Sequence, residues 1–71
     1  VLDITNGARL ETYAIPDTPG SKSICINGAA AHLVKTGDRV IILSYCSLDH
    51  SASIAHKPTI IRLNQENNIK V

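Results

Sequence analysis

Arg9 and Tyr13 stand four residues apart in Arg9-Leu10-Glu11-Thr12-Tyr13-Ala14-Ile15, and their side chains can do complementary chemistry. A guanidinium grips a carboxylate through two parallel N–H donors, and a phenol within reach of a reacting atom can hand it a proton. The run alternates as a half-buried strand would, with Arg9, Glu11, Tyr13 and Ile15 on one face and Leu10, Thr12 and Ala14 on the other. The two groups are therefore expected to share a face. The plainer account of the same spacing is an exposed arginine on an edge strand beside a half-buried tyrosine. A second candidate is Asn27-Gly28-Ala29-Ala30. Consecutive backbone N–H groups at a helix start suit anions, although an ordinary strand-to-helix turn reads equally well there.

Other searches return little. His32, His50 and His56 lack the i, i+4 spacing or the paired cysteines of a zinc site, so they read as surface or structural histidines and no metal is expected. Cys25 with His32 is a weak thiol–imidazole pair. There is no phosphate-cradling glycine loop.

The elements that must position these groups are mainly strands. Val1 to Ile4 is short and apolar and runs into Thr5-Asn6-Gly7, where Asn-Gly favours the positive φ angles of a tight hairpin turn. The returning strand is Arg9 to Ile15. Pro16 to Ser21 is a loop by its Pro and Gly content, and a strand over Ser23 to Ile26 ends in the second Asn-Gly pair. Ala29 to Val34 suffices for one or two helical turns, closed by Gly37. Arg39 to Cys46 carries Val40-Ile41-Ile42-Leu43 in a nearly continuous apolar row, the mark of a central strand buried on both faces. Ser47 to His56 is a polar loop with room for a helical turn. Lys57-Pro58 punctuates it before a strand over Thr59 to Leu63, and Asn64 to Asn68 then forms a hairpin loop leading to Ile69–Val71. This is a mainly β barrel or sandwich with one short helix, and the pattern does not choose between them.

Bulk properties narrow the classes. Seventy-one residues make one domain at most, and a chain this small buries only about 60% of its unfolded surface, so outside support is expected. Cys25 and Cys46 sit in apolar runs and read as free, buried thiols in a reducing cytoplasm rather than as a disulfide framework. The apolar runs are far short of the roughly 20 residues that cross a bilayer. Net charge is +1, and Arg9, Lys22, Lys35, Arg39, Lys57, Arg62 and Lys70 are scattered among acids. Nucleic acid wants clustered positive charge and is not an expected partner. Val1 to Ile4 already reads as a strand in progress, so the start reads as an internal cut or a processed end.

Two stretches shift the balance. Asp3-Ile4-Thr5-Asn6-Gly7-Ala8-Arg9-Leu10-Glu11-Thr12-Tyr13-Ala14-Ile15 and Ile26-Asn27-Gly28-Ala29-Ala30-Ala31-His32 closely resemble the two signature stretches of the pyruvoyl-dependent aspartate 1-decarboxylases, which make β-alanine for pantothenate and coenzyme A. Gly37-Asp38-Arg39-Val40-Ile41-Ile42 and His56-Lys57-Pro58 continue the resemblance in order, over about residues 1 to 63. The resemblance implies a six-stranded double-psi β-barrel with one or two short helices, of which residues 1–71 form a single partial domain lacking its N-terminal strands. It also implies a cytoplasmic homotetramer of cleaved chains with sites between subunits. Members of this family cut themselves at a Gly-Ser bond, and the serine becomes the covalent pyruvoyl group at the start of the larger subunit. That bond is expected upstream of Val1, in a segment that also carries a lysine and a histidine. This chain is thus expected to be part of the larger subunit and to depend on a small N-terminal subunit. Gly20-Ser21 is rejected as the processing site, because cleavage there would detach Arg9 and Tyr13.

Carried over residue by residue, the resemblance makes Tyr13 the acid that protonates the former α-carbon of L-aspartate, and Arg9 the clamp on its retained carboxylate. Asn27 with Gly28, Ala29 and Ala30 lines the pocket. Thr12 polarises the scissile peptide during self-cleavage. The pyruvoyl ketone supplies an electron sink, the role pyridoxal phosphate plays elsewhere. Leu2 departs from the pattern, standing where many members carry an aromatic residue. Two rivals remain at this point: a non-catalytic double-psi barrel that only assembles with partners, and a nucleic-acid-binding β-barrel that the scattered charge disfavours.

Overall fold

The computed structural model describes residues 1–70. Val1 to Leu10 folds back on itself as a hairpin. Val1 and Leu10 exchange backbone hydrogen bonds of 2.8 and 3.0 Å, Leu2 lies opposite Arg9, and the Asp3 N–H donates to the Ala8 carbonyl at 2.8 Å. The turn is not the two-residue type that Asn-Gly suggests. Only Gly7 has a positive φ, +81°, whereas a type I′ turn needs it at both central residues. The Asp3 carboxylate builds the turn instead: its Oδ1 accepts the Thr5 and Asn6 N–H groups at 2.8 and 3.2 Å, while the Gly7 N–H reaches the Asp3 carbonyl at 2.8 Å. Aspartate does this readily because its short side chain reaches backbone two and three residues on.

Strand β1 (Leu2–Asp3) pairs antiparallel with β2 (Val40–Ile41), with Leu2 opposite Ile41 and Asp3 opposite Val40. The pairing is extended by the Ile4 N–H on the Arg39 carbonyl at 2.7 Å and by the Arg39 N–H on Thr5 Oγ1 at 2.9 Å. Between them, the expected helix over Ala29 to Val34 is a 3₁₀ helix, Gly28–His32. The chain after it turns through Gly37, φ +94°, with the Asp38 N–H on the Lys35 carbonyl at 3.0 Å. Beyond β2 the expected polar loop holds a true helix, α1 (His50–Ala55), capped by Asp49, which accepts the Ala52 N–H at 2.8 Å. It ends at an extended His56 two residues before Pro58, and the residue before a proline resists helical geometry. The last hairpin forms as expected at Asn64–Asn68. Asn64 Oδ1 accepts the Glu66 and Asn68 N–H groups, each at 3.0 Å, and Leu63 lies opposite Ile69. The start of the return strand is therefore described as far as Lys70, and Val71 lies outside the described residues.

The architecture is mainly β and open. Val34 is the one buried hydrophobic residue among those described. The expected burial of Arg39 to Cys46 on both faces is not found: Ile41, Ile42 and Leu43 are all exposed. Cys25 and Cys46 are free thiols, but exposed rather than buried. The runs expected as strands over Arg9–Ile15, Ser23–Ile26 and Thr59–Leu63 contribute only bridges at Arg9 and Leu63. One physical reason covers these differences. A strand exists through the backbone hydrogen bonds of a neighbour, and apolar residues are buried only when a second layer covers them.

Candidate functional site

The hairpin delivers the segment after Arg9 to the 3₁₀ helix. Leu10, Glu11, Thr12 and Tyr13 line one side of an open cleft of about 380 Å³, and Asn27, Gly28, Ala29, Ala30 and Leu33 line the other. Tyr13 is 78% exposed, so its phenol is open to solvent and to anything bound there. Gly28 enters the 3₁₀ helix with φ +63°, a conformation that glycine alone adopts without penalty. Asn27 precedes it in extended geometry, and its side chain makes no capping bond, which leaves the carboxamide to the cleft. The two walls are tied by Asn6. Its Nδ2 donates to the Leu33 carbonyl at 2.8 Å while its Oδ1 accepts the Ala8 N–H at 2.8 Å.

Thr12, Tyr13, Asn27, Gly28, Ala29 and Ala30, all chosen from the sequence, thus meet around one cleft. Arg9 does not line it; Arg9 lies exposed at the base of the strand, opposite Leu2. Thr12 and Tyr13 both border the cleft although strand alternation sets them on opposite faces, because the 3₁₀ helix packs across an unpaired extended segment rather than onto a flat sheet. Ser21 lies away from the cleft, in a turn where its Oγ accepts the Ser23 N–H at 3.3 Å. Among the described residues no cluster of three metal-ligating side chains exists. No described helix is long and apolar enough to cross a membrane.

Residues 1–70 match the sequence model of the aspartate decarboxylase family, further along the chain than the signature stretches reach. The chain belongs to the aspartate decarboxylase family. Similar relatives carry the same name: an aspartate 1-decarboxylase of Clostridium novyi (strain NT) is 51% identical over 69 residues, which cover 97% of this chain and 56% of that protein. An aspartate 1-decarboxylase of Corynebacterium efficiens is 52% identical over 69 residues, 97% of this chain and 51% of that protein. One from Bacillus subtilis (strain 168) is 49% identical over 70 residues, 99% of this chain and 55% of that protein. The chain spans about half the length of the curated relatives it matches.

Two residues that tie the walls of this decarboxylase-family cleft together were not among the site residues expected from the sequence: Asp3 and Asn6. Asp3 is 1% exposed. The signal was present in Asp3-Ile4-Thr5-Asn6-Gly7, since an aspartate followed by free N–H groups and a glycine is the pattern of a side-chain-built turn.

Proposed function

We propose that the full-length protein decarboxylates L-aspartate to β-alanine and carbon dioxide, with this chain supplying the wall of the site that holds substrate and donates the proton. The observation that carries the reading is the meeting of Thr12 and Tyr13 with Asn27–Ala30 around one cleft in a member of the aspartate decarboxylase family. A covalent pyruvoyl group, formed from a serine upstream, supplies an electron sink when present. The cleft suits such a keto group: it is open, it is walled by small residues at Gly28, Ala29 and Ala30, and its polar groups are the hydroxyl, phenol and carboxamide of Thr12, Tyr13 and Asn27.

In this reading the residues divide the work. Arg9 lies outside the cleft wall, so its part rests on the family resemblance and on the reach of its long side chain: it holds the retained carboxylate of aspartate, since a grip on the departing one would oppose its release. Departure of the α-carboxylate as carbon dioxide leaves an electron pair on the α-carbon, and the Tyr13 phenol protonates it. The resulting phenolate regains its proton from water, for which its exposure is suited. Asn27 and the Gly28–Ala30 backbone fix the substrate's orientation, which can lower a barrier by several kcal/mol, on the order of 7–11 in the best intramolecular models. The Thr12 hydroxyl donates a hydrogen bond to the scissile carbonyl oxygen during self-cleavage.

The finer architecture is proposed with the function. A double-psi β-barrel completed by the small subunit, in a cytoplasmic homotetramer, would supply the partners that the exposed strands lack. The exposed row Ile41-Ile42-Leu43 supports it. Carbon dioxide release from aspartate by the full-length protein tests the function. Absence of release from a correctly assembled protein would leave the non-catalytic barrel module as the better reading.

A further inference from the structure

We propose that the carboxyls of Asp3 and Asp38 share one proton, and that this clasp positions the Arg9–Tyr13 segment against the Gly28–His32 turn. Asp3 is a 1% exposed acid on β1. Its Oδ1 is saturated by the Thr5 and Asn6 N–H groups, whereas its Oδ2 is buried with no donor. The pairing that sets Asp3 opposite Val40, with the Ile4 N–H on the Arg39 carbonyl, brings Asp38 to the diagonal position on the same face, and the Asp38 Oδ2 accepts the Lys35 N–H at 3.0 Å. Two ionised carboxylates cannot sit together in a buried place, because each disfavours the other's charge. One proton resolves both problems: on Asp3 Oδ2 it satisfies the orphaned atom and turns repulsion into a charge-assisted hydrogen bond.

The surroundings decide which acid keeps it. Burial, and then the hydrogen bond with Asp38, raise the Asp3 pKa against the lowering effect of the Asn6 and Thr5 N–H groups. Asp38 is lowered, chiefly by its hydrogen bond with Asp3, then by the Lys35 N–H, with a smaller contribution from the Lys35 charge. Arg9, on the returning strand, and Arg39, beside β2, are the other charged side chains on the packed elements, and neither contributes to the Asp3 shift. Asp3 is therefore the donor and Asp38 the acceptor. The consequence reaches the cleft through the backbone: Asp3 shapes the turn, and Asn6 in that turn holds the Leu33 carbonyl at the end of the 3₁₀ helix.

A raised Asp3 contributes stability that is present below its unfolded pKa and is lost as pH rises through its folded value. A lowered Asp38 contributes stability that is lost as pH falls through its own folded value. The clasp is strongest between those two values. Asp3→Asn replaces the shared proton with an amide N–H that no pH removes, and is the discriminating variant.

The test is the denaturation midpoint of the full-length protein against pH, with the ¹³C carboxyl resonances of Asp3 and Asp38 followed in parallel. The expected result is a midpoint that declines as Asp3 ionises, and no such decline in Asp3→Asn. An unchanged decline in that variant, or two carboxyls titrating independently at ordinary values, overturns the clasp. So does a midpoint that responds to chelator or added Mg²⁺ or Ca²⁺, which would put a cation where the proton is placed. The positioning role rests on the decarboxylase reading and has its own readout. kcat/KM is expected to fall on the order of tenfold or more over the same window, with a level profile in Asp3→Asn and no rescue in Asp3→Ala. A flat midpoint in Asp3→Asn with an unaltered kcat/KM profile overturns positioning alone. Loss of all turnover in every form, wild type included, counts against the decarboxylase reading and leaves the midpoint test standing.

Discussion

At the scale of single residues, Tyr13 and Thr12 are neighbours for which separate duties are proposed, and substitution can test those duties apart. Tyr13→Phe removes the hydroxyl and keeps the ring. Because the ring is exposed, the fold and self-cleavage are expected to survive while carbon dioxide release falls by roughly two to four orders of magnitude, the usual weight of a general acid. Normal release by that variant would remove Tyr13 from its role. Thr12→Ala is expected to leave the precursor uncut, read as a single undivided chain by mass, and efficient cleavage would contradict it. That both residues border one cleft was legible in the sequence because a resemblance over long stretches named them, while their roles stay proposals. Asp3 was legible only as a builder of its own turn, because its burial and a partner 35 positions away are not recorded by a local pattern.

At the scale of elements, turns and caps carry the structure that exists among the described residues, and each has a testable dependence. Gly28 adopts φ +63° with open space where a Cβ would go, so the cost of Gly28→Ala is backbone strain alone, about 1–2 kcal/mol. Chemical denaturation of the full-length protein should show that loss, with a smaller one for Gly28→Asn, since asparagine tolerates left-handed geometry better. Helix α1 depends on Asp49, whose carboxyl is held below the usual carboxylate range by the Ala52 N–H and then by the Ser51 hydroxyl. Its contribution is present above the unfolded pKa and lost as pH falls through the folded one. Backbone chemical shifts of His50–Ala55 should therefore move toward coil on acidification, and a helix unchanged in Asp49→Ala would contradict the cap. Both hairpins and a helical segment after Asn27 were legible from Asn, Gly and Ala. The strength of α1 was underestimated, because a capping aspartate followed by Ser and Ala was weighed as loop composition. The length of the strands was overestimated, because alternation reports that a segment can lie in a sheet, not that its neighbour is at hand.

At the scale of the whole molecule, the chain exposes 6691 Å², against about 4,300 Å² expected for a folded monomer of its mass. Its radius of gyration is 14.4 Å, where a compact chain of this length would have about 11 Å. Aliphatic residues such as Ile42, Ile60 and Ile61 are among those left exposed, as in an interior without its second layer. Such a surface fits a chain whose strands are completed by others, as the barrel and tetramer proposed here require. The family was legible because two signature stretches survive at their spacing; periodicity left barrel and sandwich open, since alternation does not say which strands pair. The most direct test is the intact mass of the full-length protein, before and after treatment with aspartate and borohydride. The account predicts two subunits, the larger beginning at the pyruvoyl-bearing residue and gaining an aspartate-derived increment on reduction. An uncut chain whose mass aspartate and borohydride leave unchanged would contradict it.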